Sequence, residues 1–349
     1  MLDKIIREDI LSIIGSLEWQ FMQLAGKRIL VTGADGFIPS YFIDTILILN
    51  KTVLAKNPAK LTILTHNKIS ENSRLSHCLN IPGIKLIIGD VCNVDLPDGI
   101  EVIIHGASKA SPKEYLDKLI ETADVNVLGA KKLLEYCVNR KVEKFLFISS
   151  SETYGNADIF PTPETYAGNV DPIGPRAAYQ EAKRFAETLC SLYFKVHGIN
   201  AVIARLFHTY GPRLSLTDGR VIPEFLNQAM LGETIKVVDT ESIRTFAYIS
   251  DSIEAMWRVL LFGEPGQAYN VGSEEEIDIK SLAELIIEIT NSSSRIATIP
   301  GMNIPHSIAT PDKTSPNIQK IRELGHINKL PLTLGLTRLV SWYRNQEAQ

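Results

Sequence analysis

The sequence predicts an α/β protein, a doubly wound parallel sheet with a smaller C-terminal α/β lobe after it. Three observations predict this class. Short apolar runs at 27–32, 60–64, 84–88, 102–105 and 144–148 alternate with longer stretches of helical periodicity. The first run enters a glycine turn that opens a helix. The runs at 102–105 and 144–148 are followed by loops of small residues, beyond the carboxyl ends of the strands, where ligands sit in such sheets.

Taken in order, residues 1–26 form a helical extension. Ile5, Ile6, Ile10, Leu11, Ile13, Ile14 and Leu17 give it an amphipathic pattern that ends at Trp19 and Phe21. It packs on the body or on a second subunit, and plain cover for the core is the favoured reading. Lys27–Thr32 then leads into Gly33-Ala-Asp-Gly36-Phe37-Ile38-Pro39. Gly33 permits the tight turn and Gly36 lets the backbone approach a pyrophosphate. With Phe37 and Ile38 the helix N-terminus offers its N–H groups, which is a Rossmann-like nucleotide site. Pro39 stands where a third glycine is expected, and its place in the first helical turn makes the missing N–H tolerable.

The run at 60–64 ends in Thr65-His-Asn-Lys68, with no acid to hold an adenosine ribose. NAD is the expected cofactor. NADP stays open, because Lys68 or Arg74 meets a 2′-phosphate or is simply solvated. After 84–88, Gly89-Asp90-Val91 is placed to touch adenine, and after 102–105 the loop Gly106-Ala107-Ser108 lies against the cofactor. A helix is expected over 124–142, and the run at 144–148 ends in Ser149-Ser150-Ser151-Glu152. The expected division is a dinucleotide-binding domain at 27–205, completed by about 239–272, and a substrate-binding lobe at about 206–238 and 273–349.

Composition narrows the partners. The chain has 349 residues, 45% of them hydrophobic and 22% charged, and its net charge of −4 supplies no basic field for nucleic acid. No apolar run reaches membrane-spanning length. Cys78, Cys92, Cys137 and Cys190 are too widely spaced for a zinc pattern, so no metal is expected. With no secretory leader in view, reduced thiols and a cytoplasmic location are expected.

The chemistry centres on Gly174-Pro-Arg-Ala-Ala-Tyr179-Gln-Glu-Ala-Lys183, which puts a phenol and an amine on one helix face. A phenol titrates near 10, so a base at pH 7 needs a shift of about three units, worth about 4 kcal/mol, part of which an ammonium group supplies. Among 11 tyrosines an isolated Tyr-x-x-x-Lys pair carries little weight, and the rest of the chain must add to it.

It does. Thr32-Gly-Ala-Asp-Gly-Phe-Ile38, Gly89-Asp-Val91, His105-x-Ala-Ser-x-Ala-Ser-Pro112, Ser149-Ser-Ser-Glu-Thr-Tyr-Gly155, Pro172 to Lys183, Ala204-Arg-Leu-Phe-x-Thr-Tyr-Gly-Pro-Arg213 and Arg244-Thr-Phe-x-Tyr-Ile-Ser-Asp251 stand in this order. Together, over about residues 27–345, they resemble the extended short-chain dehydrogenase/reductases, the NAD-dependent epimerase/dehydratase family. Within it they look most like the UDP-glucuronate decarboxylases. The resemblance implies an enzyme that binds NAD and a nucleotide-diphosphate sugar and oxidises C4 transiently, with Tyr179 as base, Lys183 lowering its pKa and bonding the nicotinamide ribose, both residues beside the cofactor, and Ser150 sharing the substrate hydrogen bond. Glu152 is implied in the step after oxidation. Dehydratases resembling this chain carry Asp-Glu where it has Ser151-Glu152, and many 4-epimerases lack the acid. Decarboxylation is therefore the leading reading, with 4,6-dehydration, epimerisation or 4-dehydrogenation/reduction as alternatives and a non-catalytic dinucleotide-binding protein as the remote one.

The same resemblance implies substrate contacts from Ser151, Tyr115, His208, Arg213, Arg220 and Arg244, the last as a diphosphate ligand. It also implies a homodimer formed through the helices at 124–142 and 178–196. Two residues depart from the pattern. His208 replaces an asparagine that contacts the nucleotide sugar, and Thr314 falls where the decarboxylases carry an arginine.

Overall fold

The computed structural model describes residues 2–78, 81, 83–299 and 311–347; the stretch 300–310 of the expected substrate lobe lies outside them. In chain order the elements of the first half are α1 (Lys4–Ser16), β1 (Arg28–Thr32), α2 (Phe37–Lys51), β2 (Lys60–Thr65), β3 (Ile84–Ile88), β4 (Val102–His105), α3 (Pro112–Asp117), α4 (Leu119–Arg140), β5 (Lys144–Ser150), α5 (Ala177–His197) and β6 (Ala201–Leu206). There follow β7 (Thr209–Tyr210), α6 (Val221–Met230), β8 (Ile235–Val237), β9 (Ile243–Thr245), β10 (Ala247–Tyr248), α7 (Ile249–Phe262), β11 (Ala268–Val271), β12 (Glu276–Asp278), α8 (Ile279–Thr290), β13 (Ile296–Thr298), α9 (Gln319–Glu323) and α10 (Leu332–Glu347).

Seven strands form one sheet in the order β11-β6-β5-β4-β1-β2-β3, and every neighbouring pair runs parallel. Strand alternation explains how both faces come to be covered. Ile29, Val31, Leu61, Ile63 and Ile104 look into one apolar cluster with α1, α2 and α7, whereas Leu30, Leu64, Ile103, Phe145 and Phe147 look into another with α4 and α5. This is the predicted doubly wound sheet. The helix expected at 124–142 begins earlier, at Leu119, and α3 precedes it, because Pro112 at its first turn and Ser111 as N-cap start a separate helix.

The extension lies on the body. Ile6, Ile10, Ile13 and Ile14 of α1, with Leu17 and Phe21 beyond it, are buried in the cluster shared with α2 and α7. A polar clasp fixes the helix: Asp9 accepts from the Tyr248 hydroxyl at 2.9 Å and from Arg338 of α10 at 2.8 Å. Asp251 sits inside the first turn of α7 and accepts from the Lys329 and Leu330 amides at 2.9 and 3.0 Å.

The smaller lobe is assembled from α6, α8, the parallel pair β8–β13 and the antiparallel pair β9–β12. It brings β9 and the 311–314 segment over the carboxyl end of the sheet, where Thr314 N donates to Ile243 O at 3.0 Å.

Ile10 is fully buried, so Ile10→Ala should lower the unfolding free energy by roughly 2–5 kcal/mol in urea denaturation. An unchanged midpoint would show that the extension is not part of the cooperative core.

Candidate active site

Three consecutive residues at the end of β5 face three positions one turn apart on α5. The Ile148 carbonyl accepts from Lys183 Nζ at 2.8 Å, Ser149 Oγ donates to Glu187 at 2.5 Å, and the Ser150 hydroxyl faces Tyr179 and favours its ionised form. The i, i+4, i+8 spacing puts all three helix residues on the face toward the strand. Tyr115 of α3 stacks on Tyr179, with ring centroids 4.9 Å apart and planes 12° from parallel.

Burial dominates the electrostatics here. It pushes Tyr179 up to about 12, with the Ser150 hydroxyl opposing it, and it pulls Lys183 down to about 7, with Glu187 opposing it. The expected lowering of the tyrosine by the lysine is not what this arrangement shows. The amine reaches the Ile148 carbonyl and lies over the Phe147 ring, and both groups are driven toward their neutral forms.

Glu152 lies in the turn after β5. One of its carboxylate oxygens accepts from Arg176 and the other from Gln180 at 2.8 Å. Arg176 Nη2 also donates to the Tyr115 hydroxyl at 3.1 Å. Glu152 and Arg176 line a pocket together with Ser151, His208, Arg244 and Thr314, among others. His208 Nε2 is a buried atom with no hydrogen-bond partner among the described residues. Burial, then Arg244, Arg220 and Arg176, hold its ring down to about 3. It is a neutral imidazole set among arginines. A roomier cleft of about 380 Å³ borders the Glu187–Arg205 ion pair; neither cavity is lined by Tyr179 or Lys183, and the smaller one is joined to Tyr179 through Arg176 and Tyr115.

Gly33, Gly36, Phe37 and Ile38 lie where β1 passes into α2. Gly33 has φ +65°, and a Cβ there would stand 2.7 Å from the Ala107 backbone. Gly36 is the N-cap of α2 and brings no side-chain cap to its amides. Ser108 Oγ and Asp35 Oδ1 are buried without partners among the described residues. A tight turn, amides without a side-chain cap and the unpartnered Ser108 hydroxyl suit a dinucleotide diphosphate, whereas the Asp35 carboxylate calls for a donor such as a hydroxyl or amide. Asp90 accepts from the Cys92 amide at 2.9 Å, and Val91 is buried beside it against Gly129. Pro39 packs on the neighbouring loop: a Cβ on Gly106 would lie 2.6 Å from its ring.

Other predicted contacts are differently engaged. Arg213 pairs with the buried Asp44 of α2 at 2.7 Å, and its backbone has φ 75°. Its guanidinium is thus turned to the helix behind the glycine turn. Arg220 pairs with Asp218 at 2.9 Å and reaches the Ala110 carbonyl at 3.4 Å. Arg244 Nη1 donates to the Ile243 carbonyl at 2.8 Å. Arg74 donates to the carbonyls of Arg213 and Asp35, which removes it as a ready partner for a 2′-phosphate. Asp44, His77 and Cys78 approach closely enough to share an ion, a grouping that the cysteine spacing did not suggest. Arg213 already supplies the positive charge beside Asp44.

Sequence reasoning missed Arg176, Gln180 and Glu187. The signal for Glu187 was available as the next step in the 179, 183 repeat; Arg176 lay within the quoted motif without a role.

Residues 29–272 match the model of the NAD dependent epimerase/dehydratase family. The chain is 33% identical to UDP-glucuronic acid decarboxylase 1 of Xenopus tropicalis, over 92% of this chain and 73% of that protein. It is 36% identical to UDP-glucuronic acid decarboxylase 5 of Arabidopsis thaliana, over 92% and 90%. In fold it is similar to UDP-glucose 4-epimerase from Thermotoga maritima, with a TM-score of 0.77, 24% identity, and 92% and 99% of the two chains covered. It is likewise similar to a dTDP-glucose 4,6-dehydratase from Streptomyces venezuelae, with a TM-score of 0.77, 24% identity, and 92% and 98% covered.

The burial of Lys183 has a measurable cost. The folded amine loses its proton at about 7 and an unfolded one at the ordinary 10.5, so unfolding takes up a proton between these values and stability rises with pH across that window. Lys183→Met should therefore be more stable than the parent at pH 6, by roughly 2–5 kcal/mol, with the advantage shrinking toward pH 10. Urea denaturation at both pH values checks it; a pH-independent difference would show that the amine is not the titrating group.

Proposed function

Because the chain belongs to the NAD dependent epimerase/dehydratase family, we propose that it is the nucleotide-sugar decarboxylase of that family's type, acting on UDP-glucuronate through transient oxidation at C4. The observation that carries the reading is the run of contacts from Tyr179 through the stacked Tyr115 ring to Arg176 and the Glu152 carboxylate, in a pocket that Arg244 also lines. The curated relatives named as UDP-glucuronic acid decarboxylases support it.

NAD, when bound, supplies the acceptor for the hydrogen and electron pair that leave C4, and in its oxidised form a positive charge near the tyrosine. Gly33, Gly36, Phe37, Ile38, Asp90, Val91, Ala107 and Ser108 are the residues we assign to holding it. Tyr179 would first give its own proton to solvent, which the positive charge of oxidised NAD would favour; as phenolate it takes the proton of the C4 hydroxyl, and Ser150 keeps the sugar oxygen and the phenol in one hydrogen-bonded line. With a ketone at C4, the C5 carboxylate is that of a β-keto acid. Its bond to C5 breaks, carbon dioxide leaves, and the electron pair is delocalised onto the C4 oxygen. A proton from solvent at the Glu152 end of the pocket then restores C5; C4 regains its hydrogen and electron pair, and Tyr179 returns the proton to the C4 oxygen, which regenerates the alcohol. His208, Arg220, Arg244 and Ser151 are assigned to the nucleotide sugar; Arg213 is assigned to the fold.

The reading extends to a homodimer. α4 and α5 pack together and expose Leu128, Phe185 and Leu192, apolar side chains that a second copy would cover. Sedimentation at micromolar concentration should give twice the chain mass, and a monomer would remove this part. Four free thiols suit a reducing compartment such as the cytoplasm. Among the described residues no helix is long and apolar enough to cross a membrane.

Mass spectrometry of reactions with UDP-glucuronate and NAD tests the chemistry. The expected product is lighter by carbon dioxide. Loss of water, or an unchanged mass with altered retention, would replace decarboxylation by dehydration or epimerisation. Tyr179→Phe should lower turnover by about 10²–10⁴-fold while the protein keeps its bound NAD, and full activity in that variant would sink the mechanism.

A further inference from the structure

Within the pocket the cationic side chains are unequally placed. Lys313 is held by Glu276 at 2.7 Å, and Thr314 beside it carries no charge. Arg244 leans on the carbonyls of Ile243 and Asp312. Arg176 stands at the tyrosine end, because it bonds the hydroxyl of Tyr115, the ring that stacks on Tyr179. Its acidic partner there is Glu152, whose second oxygen is held independently by Gln180.

A sugar whose C4 hydroxyl meets Tyr179 presents its C5 substituent one carbon away, on the scale of that same cluster. We propose that Arg176 is the residue that recognises the C5 carboxylate of a uronic acid, and that the incoming carboxylate takes the place of Glu152 on its guanidinium. The inference rests on the uronic-acid reading above and names the residue that enforces it.

Several physical points agree. A guanidinium presents a planar fork of donors that fits one carboxylate in bidentate fashion and can be passed from one to another without losing its charge. Burial works against the charge on Arg176, but Glu152 and Tyr115 outweigh it and hold the group more basic than an ordinary arginine. Two carboxylates brought together without a cation between them would repel, and Arg176 lies where it separates them. Glu152, when released, keeps its Gln180 donor, so it is not left as a bare buried charge. A neutral hexose leaves the Arg176–Glu152 pair closed. A uronic acid opens it and frees one oxygen of Glu152 beside the sugar. Recognition and the availability of the acid thus become one event.

The test is competition binding of UDP-glucuronate against UDP-glucose, with UDP as reference, to the NAD-loaded protein and to three variants: Arg176→Lys, Arg176→Gln, and Arg176→Gln combined with Glu152→Gln. The parent should prefer UDP-glucuronate by about tenfold or more. Arg176→Gln should lose that preference while its affinity for UDP stays within about threefold, the size of a surface-like perturbation. Arg176→Lys should keep part of it. The double variant carries no unpaired charge and should also lose the preference, which separates recognition from any damage caused by exposing Glu152. A parent that prefers neither sugar would overturn the uronic-acid reading and this inference together. A parent that prefers UDP-glucuronate, with a double variant that prefers it equally, would overturn the inference alone.

Discussion

The site depends on a strand end and a helix being held in one register. Lys183 to the Ile148 carbonyl and Glu187 to Ser149 are different bonds, but together they set the register between β5 and α5 that brings Tyr179 to face Ser150. A slip of the helix by a single residue would break both and swing the phenol off the strand end. Glu187 is fixed further by Arg205 of β6 at 2.7 Å, so the neighbouring strand takes part in the same alignment. The buried amine is costly to maintain, as its depressed pKa shows. This is strain of a useful kind, since a group that sits near its midpoint at neutral pH responds strongly to any charge brought beside it.

The glycine turn serves the same alignment from the other side. β1 and β4 are adjacent, and Thr32 Oγ1 is 2.7 Å from His105 Nδ1 across them. Burial, with Lys183 adding to it, holds His105 down to about 3. A neutral ring therefore fills the layer beneath the glycine turn.

Much of this was legible in the sequence because it is local. The alternation of apolar runs gave the sheet, Gly33 and Gly36 gave the turn, and Tyr179 and Lys183 gave the helix face that meets the strand end. What escaped depends on contacts between distant segments. The bond between Arg176 and Glu152 joins residues whose separation in sequence says nothing of their meeting. Arg213 was drawn toward the substrate by its motif, yet its left-handed backbone and the buried acid at Asp44 aim it elsewhere. The extension was ambiguous for a related reason: an amphipathic stripe shows that a helix needs a partner, and only the Asp9 clasp to Tyr248 and Arg338 identifies the partner.

Pro39 and Gly106 carry a last consequence. The turn demands little bulk between the start of α2 and the loop after β4, but it does not dictate which side gives way. Here the ring of Pro39 fills the space and Gly106 yields it. The two positions therefore share a fixed volume. A methyl group added at 106 belongs with a smaller residue at 39, and chains that carry a glycine at the helix position are free to carry a side chain on the loop. Such an exchange conserves the shape of the cofactor cradle while hiding the glycine from any pattern that looks for it in only one place.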